Sequence, residues 1–197
     1  GENHVGFFRI DVTVEEDCIL DILHTEAIDH EANFVLAHNS VSRVYLPKGR
    51  TVFTSMEPGV ARFVKLYLRT PGSVTVHKLS LIDYVTPDVQ SSTFLCSDEN
   101  ITRLYRAANR TLVLNTLDIF MDCPDRERGG WLCDSLWTAR AAAIAWNDLS
   151  VEKAFLENFL LAPYGDGVGA ANNFFPEVYP AAKLPGAPAI TTWSFWL

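Results

Sequence analysis

Positive charge is scarce in this chain: 16 Lys and Arg stand against 24 Asp and Glu, a formal net charge of −8 over 197 residues. A groove for nucleic acid needs clustered Lys and Arg to displace counterions from phosphates, so no nucleic-acid partner is expected. Long apolar runs are missing too. No stretch approaches the ~20 apolar residues that span a bilayer, and no basic-then-apolar leader opens the chain, so membrane insertion is not expected. Cysteine is sparse, with Cys18, Cys96, Cys123 and Cys133. A chain this long and this apolar buries a core without a disulfide framework, and the four read mostly as free thiols. Cys123 and Cys133 lack the close pairing and the His partners of a zinc site, so neither metal nor cofactor is expected. The histidines His4, His24, His30, His38 and His77 have no catalytic partner in sequence.

What is present is a globular composition, 48% hydrophobic, whose pattern changes near residue 90. Before that point apolar and polar residues alternate in Phe7–Val14, Arg43–Leu46, Ala61–Arg69 and Ser73–Ile82, the period of half-buried strands. Turn chemistry falls at Pro47-Lys48-Gly49, Pro58-Gly59 and Pro71-Gly72. Short antiparallel strands with regular turns predict a β-sandwich over residues 1–92, incomplete at its start. Gly1-Glu2-Asn3-His4 lacks an initiator Met and runs at once into a strand, so the start reads as a boundary within a longer protein.

From Ser97 the period becomes helical. Ile101, Leu104, Tyr105, Ala108 and Leu112 predict an amphipathic helix with Ser97 or Asp98 as its N-cap. A second helix is predicted over Ser135–Trp146 with Asp134 as its cap, and a third from near Ser150, ending by Pro163. Gly165 to Pro188 is too long and too rich in Gly and Pro for a plain connector, which points to a functional loop. Thr191–Leu197 reads as the first turn of a further apolar helix.

Chemistry concentrates between the first two helices, in Asp122-Cys123-Pro124-Asp125-Arg126-Glu127-Arg128-Gly129-Gly130-Trp131-Leu132-Cys133-Asp134, where four carboxylates fall within thirteen residues. Pro124 holds Cys123 extended, Gly129-Gly130 allows a tight bend, and Trp131 offers a flat face on which a sugar ring can stack. Glycoside hydrolysis needs a protonated carboxylic acid beside the leaving oxygen, and the neighbouring carboxylates Asp122 and Asp134 would raise the pKa of Glu127 in that direction. Arg126 and Arg128 would oppose this if they pointed the same way. Two structural readings stand beside it: acidic residues at helix starts act as caps, and Asp-Arg-Glu-Arg can be a solvated ion-pair cluster.

The pattern Asp-Cys-Pro-x-Arg-Glu-x-x-x-Trp-x-x-Asp, with the preceding Phe94–Asp98 and Asn115–Asp118, resembles the signature of bacterial α-L-rhamnosidases, glycoside hydrolase family 78. The resemblance implies a β-sandwich followed by the first part of an (α/α)6 barrel, here residues 93–197, with the rest of the barrel supplied by the parent chain. It implies an inverting glycosidase acting on a carbohydrate that ends in α-L-rhamnose. Glu127 would be the general acid, Asp122 and Asp134 would bind the sugar and tune the acid, and Trp131 and Arg126 would line the sugar site. An inverting enzyme needs a base about 6.5–9.5 Å from the acid, and none of Asp148, Glu152, Glu157, Asp166 and Glu177 matches the family's base, so this chain alone is expected to be inactive. Cys133 stands where many rhamnosidases have Gly, which points to a subgroup with a different sugar preference. Phe175-Pro176-Glu177-Val178-Tyr179-Pro180 is similar to a family loop expected to rim the sugar site. A periplasmic or secreted bacterial location is favoured over a cytoplasmic one. The alternatives are a same-scaffold glycosidase for another sugar and a non-catalytic carbohydrate-binding module.

Overall fold

The computed structural model describes residues 2–36, 40–86, 92–161 and 175–180, and outside them lie His38, Asp166, most of the 165–188 segment and Thr191–Leu197. The chain forms two compact units, one of Gly1–Tyr84 with Pro124–Glu127, the other of Val85–Cys123 with the chain from Arg128 onward.

In the first unit the described strands are β1 (His4–Val14), β2 (Cys18–Thr25), β3 (Ala27–Ile28), β4 (Phe34–Val35), β5 (Val41–Leu46), β6 (Gly49–Thr54), β7 (Gly59–Ala61), β8 (Phe63–Leu68) and β9 (Val74–Asp83). Pairing is antiparallel throughout. β1 carries β6 and β7 end to end along one edge and β9 along the other, with a register shift between Asp11 and Val12. A second sheet has the order β5-β2-β8, and β3 pairs with β4. Alternation along β1 sends Phe8, Ile10, Val12 and Val14 inward, where they meet Leu20 and Ile22 of β2 and Val44 and Leu46 of β5 in one buried cluster. Each such side chain contributes roughly 1.5–3 kcal/mol by leaving water.

Two differences from the sequence reading have simple causes. The alternating run Ala61–Arg69 is two strands in two sheets: β7 pairs with β1 and β8 with β2, the chain changing sheets at Arg62, whose N–H donates to Thr25 O at 3.0 Å. Alternation is blind to the partner strand. The central strand β2 carries no strand signal in sequence because its apolar residues do not alternate.

β2 also buries a charge. Asp21, with its side chain 1% exposed, accepts from Arg43 Nε and Nη2 at 2.8 and 3.0 Å and from Arg69 Nε at 2.6 Å. Hydrogen bonding from Arg43, then from Arg69, outweighs desolvation and holds the Asp21 carboxyl down to about 2. Because the folded pKa lies below the unfolded one, this contribution is present above the ordinary aspartate value and is lost as pH falls toward 2. Asp21→Asn is therefore expected to destabilise the protein at pH 7 by roughly 1–2 kcal/mol, less than the ~3–5 kcal/mol of a fully buried pair because both guanidiniums are half in water. Urea unfolding across pH 2–7 should show the difference between the two proteins closing at the acid end; a constant difference would refute the ion-pair account.

The second unit holds three helices among its described residues, α1 (Glu99–Leu114), α2 (Leu132–Trp146) and α3 (Ser150–Leu161). Asp98 caps α1, its side chain accepting from the Asn100 N–H at 2.8 Å. The face of α1 predicted to be core is open to solvent among the described residues: Leu104 is 69% exposed and Ile101 is also exposed, while Thr102 and Leu114 are buried. An apolar stripe records that a helix needs a partner, not where the partner lies. All four cysteines are free thiols, and no described helix is long and apolar enough to cross a membrane.

Candidate active site

α1 ends at Asn115, and the chain doubles back so that the Met121 N–H donates to Asn115 O at 2.8 Å. The loop that follows is closed at its base by a two-bond clasp. The Asp122 N–H donates to Gly129 O at 3.1 Å, and the Gly129 N–H donates to Asp122 Oδ1 at 2.9 Å. Between the two ends of the clasp, Pro124–Glu127 forms a turn that belongs to the sheet-containing unit, while Asp122, Gly129, Trp131 and Asp134 belong to the helical one.

Glu127 sits on that turn with its side chain 38% exposed, and its carboxylate meets Arg126 Nη2 at 2.8 Å. Arg126 thus does point at the carboxylate. The pair is open to water, the setting in which an ion pair contributes roughly 0–1 kcal/mol and breaks easily.

The glycines work differently from the bend expected of them. The left-handed residue is Arg128, with φ of 51°, whereas neither Gly129 nor Gly130 has a positive φ. Their small size is what matters. A Cβ on Gly130 would lie 2.4 Å from Tyr179 O and 3.0 Å from Phe155 Cε2, and one on Gly129 would lie 3.0 Å from Trp131 Nε1. Gly130 lets the chain pass against Phe175–Pro180: the Tyr179 N–H donates to Gly130 O at 3.0 Å, the Leu132 N–H donates to Glu177 O at 2.8 Å, and Trp131 bridges to Val178.

This pairing also corrects the start of the second helix. α2 begins at Leu132 with Trp131 as its N-cap residue, so Asp134 is not the cap but an exposed member of the first turn. The strand-like bond from Leu132 N to Glu177 O satisfies one of the N–H groups that the first turn of a helix leaves without an intrahelical acceptor. Asp134 still lies where the helix dipole favours a carboxylate. Ser135 closes the turn, its Oγ donating to Trp131 O at 2.6 Å.

Beneath the loop, Phe120, Phe155, Phe159 and Tyr179 follow one another with ring centroids 6.1, 4.9 and 6.2 Å apart. Beside them a cleft of about 120 Å³ is lined by Phe120, Leu132, Ser135, Leu136, Ala139 and Phe155, among others. Glu177, passed over as a base from sequence, is buried, and its main chain anchors Leu132. The structure therefore brings together Asp122 with Gly129, Trp131 with Phe175–Pro180, and Arg126 with Glu127. Asp134 stands exposed on α2. Phe175–Pro180 lies against Gly130–Leu132, beside the loop whose sugar site it was expected to rim; only the strand-like pairing was not legible in sequence, its traces being the adjacent glycines and the long Gly- and Pro-rich stretch.

A family model described as the bacterial alpha-L-rhamnosidase 6 hairpin glycosidase domain matches residues 89–196. The alpha-L-rhamnosidase of Formosa agariphila is 25% identical over 169 residues, covering 80% of this chain and 18% of that protein. Among solved structures, the GH78 family rhamnosidase of Bacillus sp. GL1 is similar with a TM-score of 0.78 at 19% identity, over 98% of this chain and 20% of that one. The rhamnosidase from Klebsiella oxytoca, solved with rhamnose bound, is similar with a TM-score of 0.77 at 13% identity, over 100% of this chain and 40% of that one. At such identities the structural likenesses show the fold alone. This chain spans about a fifth of the length of the first two of these relatives.

Proposed function

Because the chain belongs to the bacterial α-L-rhamnosidase six-hairpin glycosidase family, we propose that it is the acid-bearing part of an inverting glycoside hydrolase that removes terminal α-L-rhamnosyl residues from oligosaccharides, polysaccharides or glycosides. In this reading residues 1–92 are a β-sandwich and residues 93–197 open an (α/α)6 barrel. The observation that carries it is the clasped loop, in which Asp122 and Gly129 pin both ends of a short turn and leave the Glu127 carboxyl reachable from solvent.

The chemistry follows from the parts. Glu127 protonates the glycosidic oxygen as the bond to the anomeric carbon breaks. Arg126 holds that carboxylate in the free protein, and its weak, hydrated pairing gives way when the sugar arrives, the guanidinium turning to sugar hydroxyls. Asp122 and Asp134 accept from sugar hydroxyls. Trp131 supplies a ring face, and Phe175–Pro180 forms part of the rim. The base that activates water, and the helices that cover Ile101, Leu104, Trp137 and Ile144, come from the rest of the parent chain.

The test is hydrolysis of a panel of p-nitrophenyl glycosides by this chain and by its full-length parent. Release from the α-L-rhamnoside by the parent alone is the expected result. Release from a different sugar would keep the mechanism and change the substrate, and silence across the panel from a folded parent would overturn the hydrolase reading.

A further inference from the structure

The outward face of the β5-β2-β8 sheet carries features that neither the core nor the proposed acid uses. Register places its side chains in three rows across the strands. Tyr45, Ile19 and Arg69 form the first, Arg43, Asp21 and Tyr67 the second, and Val41, Leu23 and Lys65 the third. Neighbouring strands lie about 4.8 Å apart, so the array fits within the footprint of one or two sugar rings.

Its charge runs against the rest of the molecule. Arg43, Arg69 and Lys65 share this face with the carboxylate of Asp21, and Asp17 lines the groove at its end, in a chain whose net charge is −8. The carboxylate is the buried Asp21, and it holds Arg43 and Arg69 side by side with about half of each side chain in water. Arg43 spends Nε and Nη2 on Asp21, and Arg69 spends Nε, so each guanidinium keeps further N–H donors for another acceptor. Arg69 is also steadied over the Tyr67 ring, 4.9 Å from its centroid. Tyr45 is 73% exposed and walls a shallow groove with Ile19, Leu46, Pro47, Thr70 and Asp17, the last already accepting from the Lys48 N–H at 2.8 Å.

We infer that this face is a non-catalytic subsite for an anionic sugar residue, with Tyr45 as the ring platform and the Asp21-tethered Arg43 and Arg69 as the clamp on a uronate carboxylate. The carbohydrate-directed reading above supplies the ligand class; the charge of the face selects the anionic member. Paired guanidiniums match a carboxylate in shape as well as charge, and an aromatic face turned to solvent matches the apolar face of a pyranose ring. Because one buried carboxylate fixes both arginines beforehand, little side-chain entropy is lost when the ligand binds. A protein partner would meet fixed, hydrated charges at the centre of the face, where protein interfaces are depleted of charge.

The experiment is calorimetric titration with trigalacturonate and, in parallel, with its methyl ester, which keeps the rings and removes the charge, using both this chain and the full-length parent. Saturable binding of the acid with a Kd below about 1 mM is expected, with the ester at least about tenfold weaker and the acid weakening as salt rises. Tyr45→Ala should weaken binding about five- to tenfold. Arg69→Lys, which keeps the charge and loses the planar fork, should weaken it as well. An unchanged thermal unfolding curve for Tyr45→Ala, expected of so exposed a side chain, keeps the loss attributable to contact. Equal binding of acid and ester, or no saturable binding, overturns the inference. Displacement by inorganic sulfate with no effect of Tyr45→Ala means an adventitious ion only, and an effect of Tyr45→Ala confined to association with another polypeptide marks a docking face instead; both overturn it. Rhamnoside hydrolysis by the parent without uronate binding sinks this subsite and leaves the proposed activity standing, whereas uronate binding by a parent that hydrolyses nothing does the reverse.

Discussion

Glu127→Gln in the full-length parent is expected to lower the rate on an alkyl α-L-rhamnoside by about 10²–10⁴-fold, the usual contribution of a positioned general acid. On p-nitrophenyl α-L-rhamnoside the loss should be far smaller, because nitrophenolate departs without a proton. That split between leaving groups identifies proton donation. Gln keeps the size of the side chain and removes both the proton and the charge that meets Arg126 at 2.8 Å. If Glu127 served only as an ion-pair partner, both substrates would slow by the same small factor, since an exposed pair contributes roughly 0–1 kcal/mol. Equal losses on the two substrates would therefore remove Glu127 from the acid role while leaving the family assignment untouched.

Phe155→Ala is expected to cost about 3–5 kcal/mol of stability, the range for emptying a buried aromatic site. Phe155 is 1% exposed, its ring lies between Phe120 and Phe159, and its Cε2 stands 3.0 Å from where a Cβ on Gly130 would be. Removing it opens the adjoining cleft and withdraws the floor on which Gly130 rests, so the loss of stability and a loss of activity should arrive together. Phe155→Leu, which keeps most of the volume, should lose less than half as much. Denaturant unfolding measures both; a Phe155→Ala protein within about 1 kcal/mol of the parent would show that the aromatic stack is not a support for the loop.

Both predictions rest on a loop whose residues sequence had already singled out. The Asp122 to Asp134 segment was legible because its chemistry is local: carboxylates, a proline, two glycines and a tryptophan within thirteen residues are visible without knowing what packs on them. Asp98, expected together with Ser97 as a cap of α1, was legible for the same reason, since a capping side chain reaches only two residues along the chain. The start of α2 was misplaced by three residues because its first N–H is satisfied by Glu177, forty-five positions away, rather than by a neighbouring side chain. The purpose of Gly130 was misread on the same account, since the atom that forbids a side chain there is the carbonyl of Tyr179.

The sequence by itself determined the alternation that builds β1, β5, β8 and β9, the periods of the three helices, and the carboxylate-rich loop with its family likeness, all of which depend on residues a few positions apart. Only the tertiary structure decided which sheet each strand joins, why Asp21 stays charged under Arg43 and Arg69, how Asp122 and Gly129 clasp the turn that carries Glu127, and that Phe175–Pro180 lies along Gly130–Leu132. The reason is physical. Local periodicity states which face of an element must leave water, whereas the partner that covers it is chosen by packing and hydrogen bonding among residues distant in sequence, and a single chain read in order does not display those partners.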